Sequence, residues 1–201
     1  MPQYNQSHMN VKKQYTLSGC EIHLSNTTDT DIEKILQNNR HIADDALELF
    51  YHPSLRDLFD PLLMPDMEKA LERIKKAQEH NERIVIFGDY DVDGVSGTAL
   101  LVRFLMIEMK CQVSYRLPHR VRDGYGLKGY FFDELAEKNV KLVITTDCGT
   151  RDIEAIRHAH DLGIDVIVTD HHAVPEVIPT EVIGILNPKR TDSQYPFRDL
   201  A

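Results

Sequence analysis

Between Pro65 and Asn81, Met67, Ala70, Leu71, Ile74 and Ala77 recur at helical spacing with charged residues on the opposite face, which predicts an amphipathic helix packed on a core. Beyond it the hydrophobic pattern alternates between short apolar runs and longer periodic stretches. The runs at residues 84–87, 113–117, 141–146 and 165–169 predict strands, and residues 182–186 predict one more. The stretches at 97–109, 129–138 and 151–162 predict helices between them. Strands separated by helices of about ten residues mean βαβ crossovers, so the expected class is α/β, a parallel β-sheet with helices on both faces.

Residues 1–30 are polar without a sustained period, and a mobile arm is expected there. From residue 30 to 51 the pattern turns helical, and Pro53, Pro61 and Pro65 then break the chain into short pieces. The expected division is therefore residues 1–65, a polar arm with a small helical N-terminal region, and 66–201, the α/β domain. No window approaches 18 consecutive apolar residues and the N-terminus lacks the makings of a secretion signal, so the cytoplasm is the expected compartment. Cys20, Cys111 and Cys148 form no CxxC pair, which suits a reducing environment.

Chemistry enters where the first strand ends. Asp89, Asp91 and Asp93 stand at alternate positions in Asp89-Tyr-Asp-Val-Asp-Gly94, directly after the apolar run. Three carboxylates this close raise one another's proton affinity unless a cation neutralises them. A calcium-binding EF-hand loop fails, because its twelfth position holds Leu100 and a strand precedes it. A phosphate-cradling P-loop fails for want of a lysine, and a haloacid-dehalogenase-like phosphatase with Asp89 as nucleophile is the lesser contender. A second strand ends in Asp147 and a third in Asp170-His171-His172. Ligands of open parallel sheets bind beyond the carboxyl ends of the strands, so these groups are expected on one rim.

Carboxylates with imidazoles and no thiolate favour Mn²⁺ or Mg²⁺, one or two ions, over structural zinc. Two ions bridged by one Asp would suit phosphoester hydrolysis. Adjacent side chains of an extended chain point to opposite sides, which gives one imidazole of His171 and His172 to metal and the other to substrate. Cys148, with no base identifiable for it, reads as a small buried filler.

The formal charge of −9 excludes a protein that coats nucleic acid through a broadly basic surface, but not a nuclease. One stretch is basic: Arg116, His119, Arg120, Arg122 and Lys128 stand against the single acid Asp123. Arg120 and Lys128 are candidate phosphate contacts. A helix opening near Ser96–Thr98, with Gly94 and Gly97 permitting close approach, is a candidate phosphate cradle. Tyr125 is a candidate base-stacking residue, whereas Tyr130, Phe131 and Phe132 are expected to pack a helix.

Five segments in order, Leu63-Met-Pro-Asp-Met67, Gly88 through Leu101, Asp123-Gly-Tyr-Gly-Leu127, Thr146-Asp-Cys-Gly149 and Asp170-His-His172, closely resemble the RecJ branch of the DHH phosphoesterases, over residues 43 to 201. The resemblance implies a Mn²⁺- or Mg²⁺-dependent 5′→3′ exonuclease of single-stranded DNA in repair and recombination. It implies single-stranded DNA as partner, with single-strand-binding protein and a helicase beside it, and no membrane. It assigns Asp91, Asp93, Asp147 and His171 to metal, Asp89 to a second metal, and His172 to the scissile phosphate. Other members of the superfamily act on oligoribonucleotides, cyclic dinucleotides or pyrophosphate, and a silent relative serving as a repair scaffold is the third reading. Members of this branch continue further, with another metal-binding Asp and a second domain, so an N-terminal fragment of weak or no activity is expected.

Overall fold

The computed structural model describes residues 13–15, 21–23 and 31–200. They fall into two compact units, divided between Leu58 and Phe59.

In the first unit, β1 (Lys13–Tyr15) and β2 (Glu21–His23) pair as an antiparallel ribbon. Strands of three residues are too short to show an alternating pattern, so nothing in the hydrophobic periodicity marks them. The rest of the expected arm lies outside the described residues. Helices α1 (Ile32–Asn39) and α2 (Leu47–Tyr51) follow, with a 3₁₀ turn at Leu55–Asp57. Asp31 caps α1 by accepting from the Glu33 N–H, and no residue of either helix is buried.

The second unit begins with a 3₁₀ turn at Pro61–Leu63 and continues through α3 (Met67–Glu79), β3 (Arg83–Gly88), α4 (Val92–Ile107), β4 (Gln112–Arg116), α5 (Gly129–Glu137), β5 (Val140–Thr146), α6 (Ile153–Asp161), β6 (Asp165–Thr169) and β7 (Gly184–Leu186). The strands form one parallel sheet in the order β4-β3-β5-β6-β7. Each face has its own core. Val85 and Phe87 of β3 pack with Phe131, Phe132 and Ile156, whereas Ile84 and Ile86 pack with Ala70, Ala77 and Leu105. Helices thus cover both faces, as the unbroken apolar runs predict. Each such large side chain contributes roughly 1.5–3 kcal/mol by burial.

Helix α4 starts at Val92, five residues before the expected 97. Gly94 and Gly97 do permit close approach, but from inside the helix, which sits tightly on the sheet. A Cβ on Gly94 would stand 2.5 Å from the backbone N and O of Asp89, and one on Gly97 would stand 3.4 Å from Thr146 Cβ. Thr98, next in the chain after Gly97, is buried and shares a 2.9 Å hydroxyl hydrogen bond with Thr146.

Candidate metal centre

The chain places three acids immediately after three neighbouring strands. Asp89 follows β3, Asp147 follows β5 and Asp170 follows β6. Their backbone N–H groups extend the ladder by one step, donating to Thr146 O at 3.2 Å, Thr169 O at 3.0 Å and Leu186 O at 3.1 Å respectively. The side chains therefore emerge side by side on one rim. Asp147 adopts φ +63°, a left-handed conformation that costs a non-glycine residue on the order of 1 kcal/mol. Gly149 completes the turn at φ +113°, where a Cβ would lie 3.1 Å from the Val168 methyls.

Two donor groups form there. Asp89, Asp91 and Asp147 offer oxygens within 4.8 Å of one another, and so do Asp147, His171 and His172 with one oxygen and two nitrogens. Asp147 belongs to both. His171 Nε2 lies 2.9 Å from Asp147 Oδ1 and His172 Nδ1 3.7 Å from the same oxygen. The two imidazoles therefore face one carboxylate rather than opposite sides, their ring centroids 4.7 Å apart. The cause is Asp170. Its Oδ1 accepts from the backbone N–H groups of His171 (2.7 Å) and His172 (3.0 Å), which bends the chain out of the extended form.

Electrostatics separate the acids. The Gly94 N–H, donating to Asp91 at 3.1 Å as the helix cap, holds that carboxyl below the usual range. Burial, reinforced by a hydrogen bond to Asp91 and its charge, pushes Asp147 up to about 6. Burial likewise raises Asp89, whose Oδ1 is buried with no hydrogen-bond partner. For Asp170 burial acts upward, but hydrogen bonds from Thr150 and His172 prevail and hold it low. An orphaned buried oxygen, two carboxylates driven toward protonation and a set of hard oxygen and imidazole donors fit a hard divalent cation.

Asp93 falls outside both donor groups. It stands exposed on the first turn of α4 and lines, with Asp147, His171, Ser96 and Leu100, a cleft of about 570 Å³. The expected phosphate cradle at 96–98 is not formed, because these positions lie inside the helix. Thr98 is buried against Thr146, and the Ser96 hydroxyl donates to Val92 O. Arg120 stacks 4.7 Å over the Tyr90 ring, near enough to Asp89 for its charge to oppose the rise there. Lys128 Nζ is engaged by Tyr125 O at 2.9 Å. Phe131, Phe132 and Cys148 are buried in the core, and the Tyr130 hydroxyl donates to Asp123. His172 has two partners that its sequence context does not name, Asp170 and Tyr125. The adjacency of Asp170 to two histidines was the available signal for the first; the second required the fold.

The family model described as "DHH family, N-terminal domain" matches residues 83–195. Among curated proteins, the chain is 38% identical over 157 residues to the single-stranded-DNA-specific exonuclease RecJ of Bacillus subtilis (strain 168), covering 78% of this chain and 20% of that protein. The RecJ of Escherichia coli (strain K12) is also 38% identical, over 136 residues, 67% of this chain and 23% of its own length. Among solved structures, exonuclease RecJ bound to manganese superposes with a TM-score of 0.62 at 31% identity, over 71% of this chain and 36% of that one. RecJ of Thermus thermophilus in complex with Mn²⁺ gives 0.58 at 25% identity, over 83% and 25%. The chain spans 20–23% of the length of the two curated relatives described.

Proposed function

The chain belongs to the DHH family, and from that membership we propose that it carries the metal-binding portion of a phosphodiesterase that removes nucleotides from the 5′ end of single-stranded DNA in repair and recombination. The observation that supports this most is the sharing of Asp147 between two donor groups at one sheet rim. Asp89, Asp91, Asp147 and His171 are the proposed holders of Mn²⁺ or Mg²⁺, with Asp93 beside them at the cleft. Bound there, such ions supply Lewis acidity toward a phosphoryl oxygen and the attacking water. His172 is proposed to meet the scissile phosphate, and Arg120, oriented by Tyr90, a neighbouring one. Lys128, whose ammonium holds the loop through Tyr125 O and keeps two further donors, is proposed as a second phosphate contact.

The names of the relatives favour DNA over short oligoribonucleotides or cyclic dinucleotides, and the intact donor set favours an enzyme over a scaffold. Single-strand-binding protein and a helicase are proposed partners, and the cytoplasm the proposed compartment. No helix among the described residues is long and apolar enough to cross a membrane.

The test is Asp91→Asn, which keeps an acceptor for the Gly94 N–H while removing the charge. We expect loss of Mn²⁺ binding by calorimetry, with the thermal midpoint retained. Undiminished Mn²⁺ affinity in this variant would refute the ligand assignment.

A further inference from the structure

The loop that carries Tyr125 is anchored at every step. Gly124 and Gly126 take φ +71° and +79°, and a Cβ on Gly126 would meet the Asp152 carboxylate at 2.8 Å. That carboxylate accepts from the Leu127 N–H at 2.8 Å, and the Leu127 side chain is buried in the core. Lys128 Nζ closes the turn on Tyr125 O at 2.9 Å. The result is a fixed hydroxyl. Tyr125 OH donates to Asp147 O at 3.4 Å and lies 3.3 Å from His172 Nδ1, with the two rings edge to face, centroids 5.7 Å apart.

His172 Nδ1 also lies 2.8 Å from Asp170 Oδ1, and a carboxylate accepts only. The proton therefore resides on Nδ1, shared between Asp170 and the lone pair that Tyr125 keeps after donating to Asp147 O. We propose that Tyr125 is a positioning residue: Asp170 anchors His172 Nδ1, and the Tyr125 hydroxyl and ring edge hold the imidazole in its orientation beside Asp147. This replaces base stacking as its role. The consequence for turnover rests on the nuclease reading above, whereas the orientation of the ring does not.

The experiment uses Tyr125→Phe, which keeps the ring and removes the hydroxyl. Long-range ¹H–¹⁵N spectra of metal-free protein report the His172 tautomer directly, and their dispersion reports folding. Asp170 keeps the Nδ1–H form in both proteins, and the His172 ring signals are expected to shift and broaden in the variant as the ring loses its second anchor. An unchanged spectrum, or a wild type protonated on Nε2, would overturn the proposal whether or not the protein is a nuclease. In the phosphodiesterase of which this chain is proposed to be the metal-binding portion, with Mn²⁺ and a labelled single strand, kcat is expected to fall about 10- to 100-fold while KM moves by less than about twofold. A wild-type-like variant, or one whose KM alone rises, would return Tyr125 to strand contact. His172→Ala assayed beside it locates any failure: if that change leaves turnover intact, the nuclease role of His172 fails while the shift of the ring signals still decides the positioning.

Discussion

Asp147 illustrates how much one residue owes to its surroundings. Its type and place after a β-branched run were legible, since strand ends collect ligands in parallel sheets. Its contact with both imidazoles was not, because that depends on a bend produced by the Asp170 carboxylate taking two backbone N–H groups. A tertiary hydrogen bond settles Thr98, whose hydroxyl is engaged by Thr146 of β5 rather than offered to phosphate. The elevation of Asp147 to about 6 has a definite sign. An unfolded Asp titrates near ~3.9, so between roughly pH 4 and 6 the folded metal-free protein retains a proton that the unfolded chain releases. This group's contribution to stability therefore declines as pH rises through that window. A cation competes with the same proton, so Mn²⁺ affinity is expected to fall about tenfold per pH unit below about 6. Calorimetric titration at pH 5 and pH 7 checks this, with Asp147→Asn as the control that loses both affinity and slope. Equal affinity at the two values would show that Asp147 does not bind the ion.

At the level of elements, the strands were the most readable. The apolar runs of β3, β5 and β6 are buried on both faces, so hydrophobicity alone marks them to within about a residue or two. Helix α4 was misplaced because intrinsic propensity and tertiary contact disagree at its first turn. Glycine there signals a boundary in isolation, yet the turn needs glycine to lie against the Asp89 backbone. The disagreement gives a test with a diagnostic sign. In an unobstructed helix, Gly→Ala stabilises by up to about 1 kcal/mol. At Gly94 the added methyl would meet backbone atoms at 2.5 Å, which cannot swing aside as a side chain could. Gly94→Ala is therefore expected to destabilise the protein by about 1–3 kcal/mol, read as a lower urea midpoint with unchanged slope. A stabilised variant would mean that α4 does not sit on the strand end in this way.

At the scale of the whole chain, order is set by contacts that no local pattern reveals. Asp66 sits at φ +59° before α3, yet it accepts from the Ile185 N–H at 3.2 Å and pairs with Arg190, joining the start of the α/β unit to strand β7 some 119 positions later. Gly184 is part of this junction, since a Cβ there would stand 2.6 Å from Asp66 Cβ. Pro65 and Met67 mark the start of α3 in the sequence, but the docking of α3 onto the sheet edge through Asp66 is visible only in the fold. Burial acts to raise the Asp66 carboxyl, but hydrogen bonds from Lys69, Arg190 and Ile185 outweigh it and leave it below the usual range. A depressed folded-state value means stabilisation that is present above the unfolded pKa of ~3.9 and lost as pH falls through the folded one. Asp66→Asn keeps an acceptor for Ile185 and removes the charge. At pH 7 it is expected to cost about 1 kcal/mol, given that the pair is only partly shielded from solvent. Thermal unfolding of both proteins from pH 7 down to pH 3 should show the gap between them closing below about pH 4, because protonation of the wild type reproduces the neutral variant. A gap that stays constant across that range would assign the effect to shape rather than to charge.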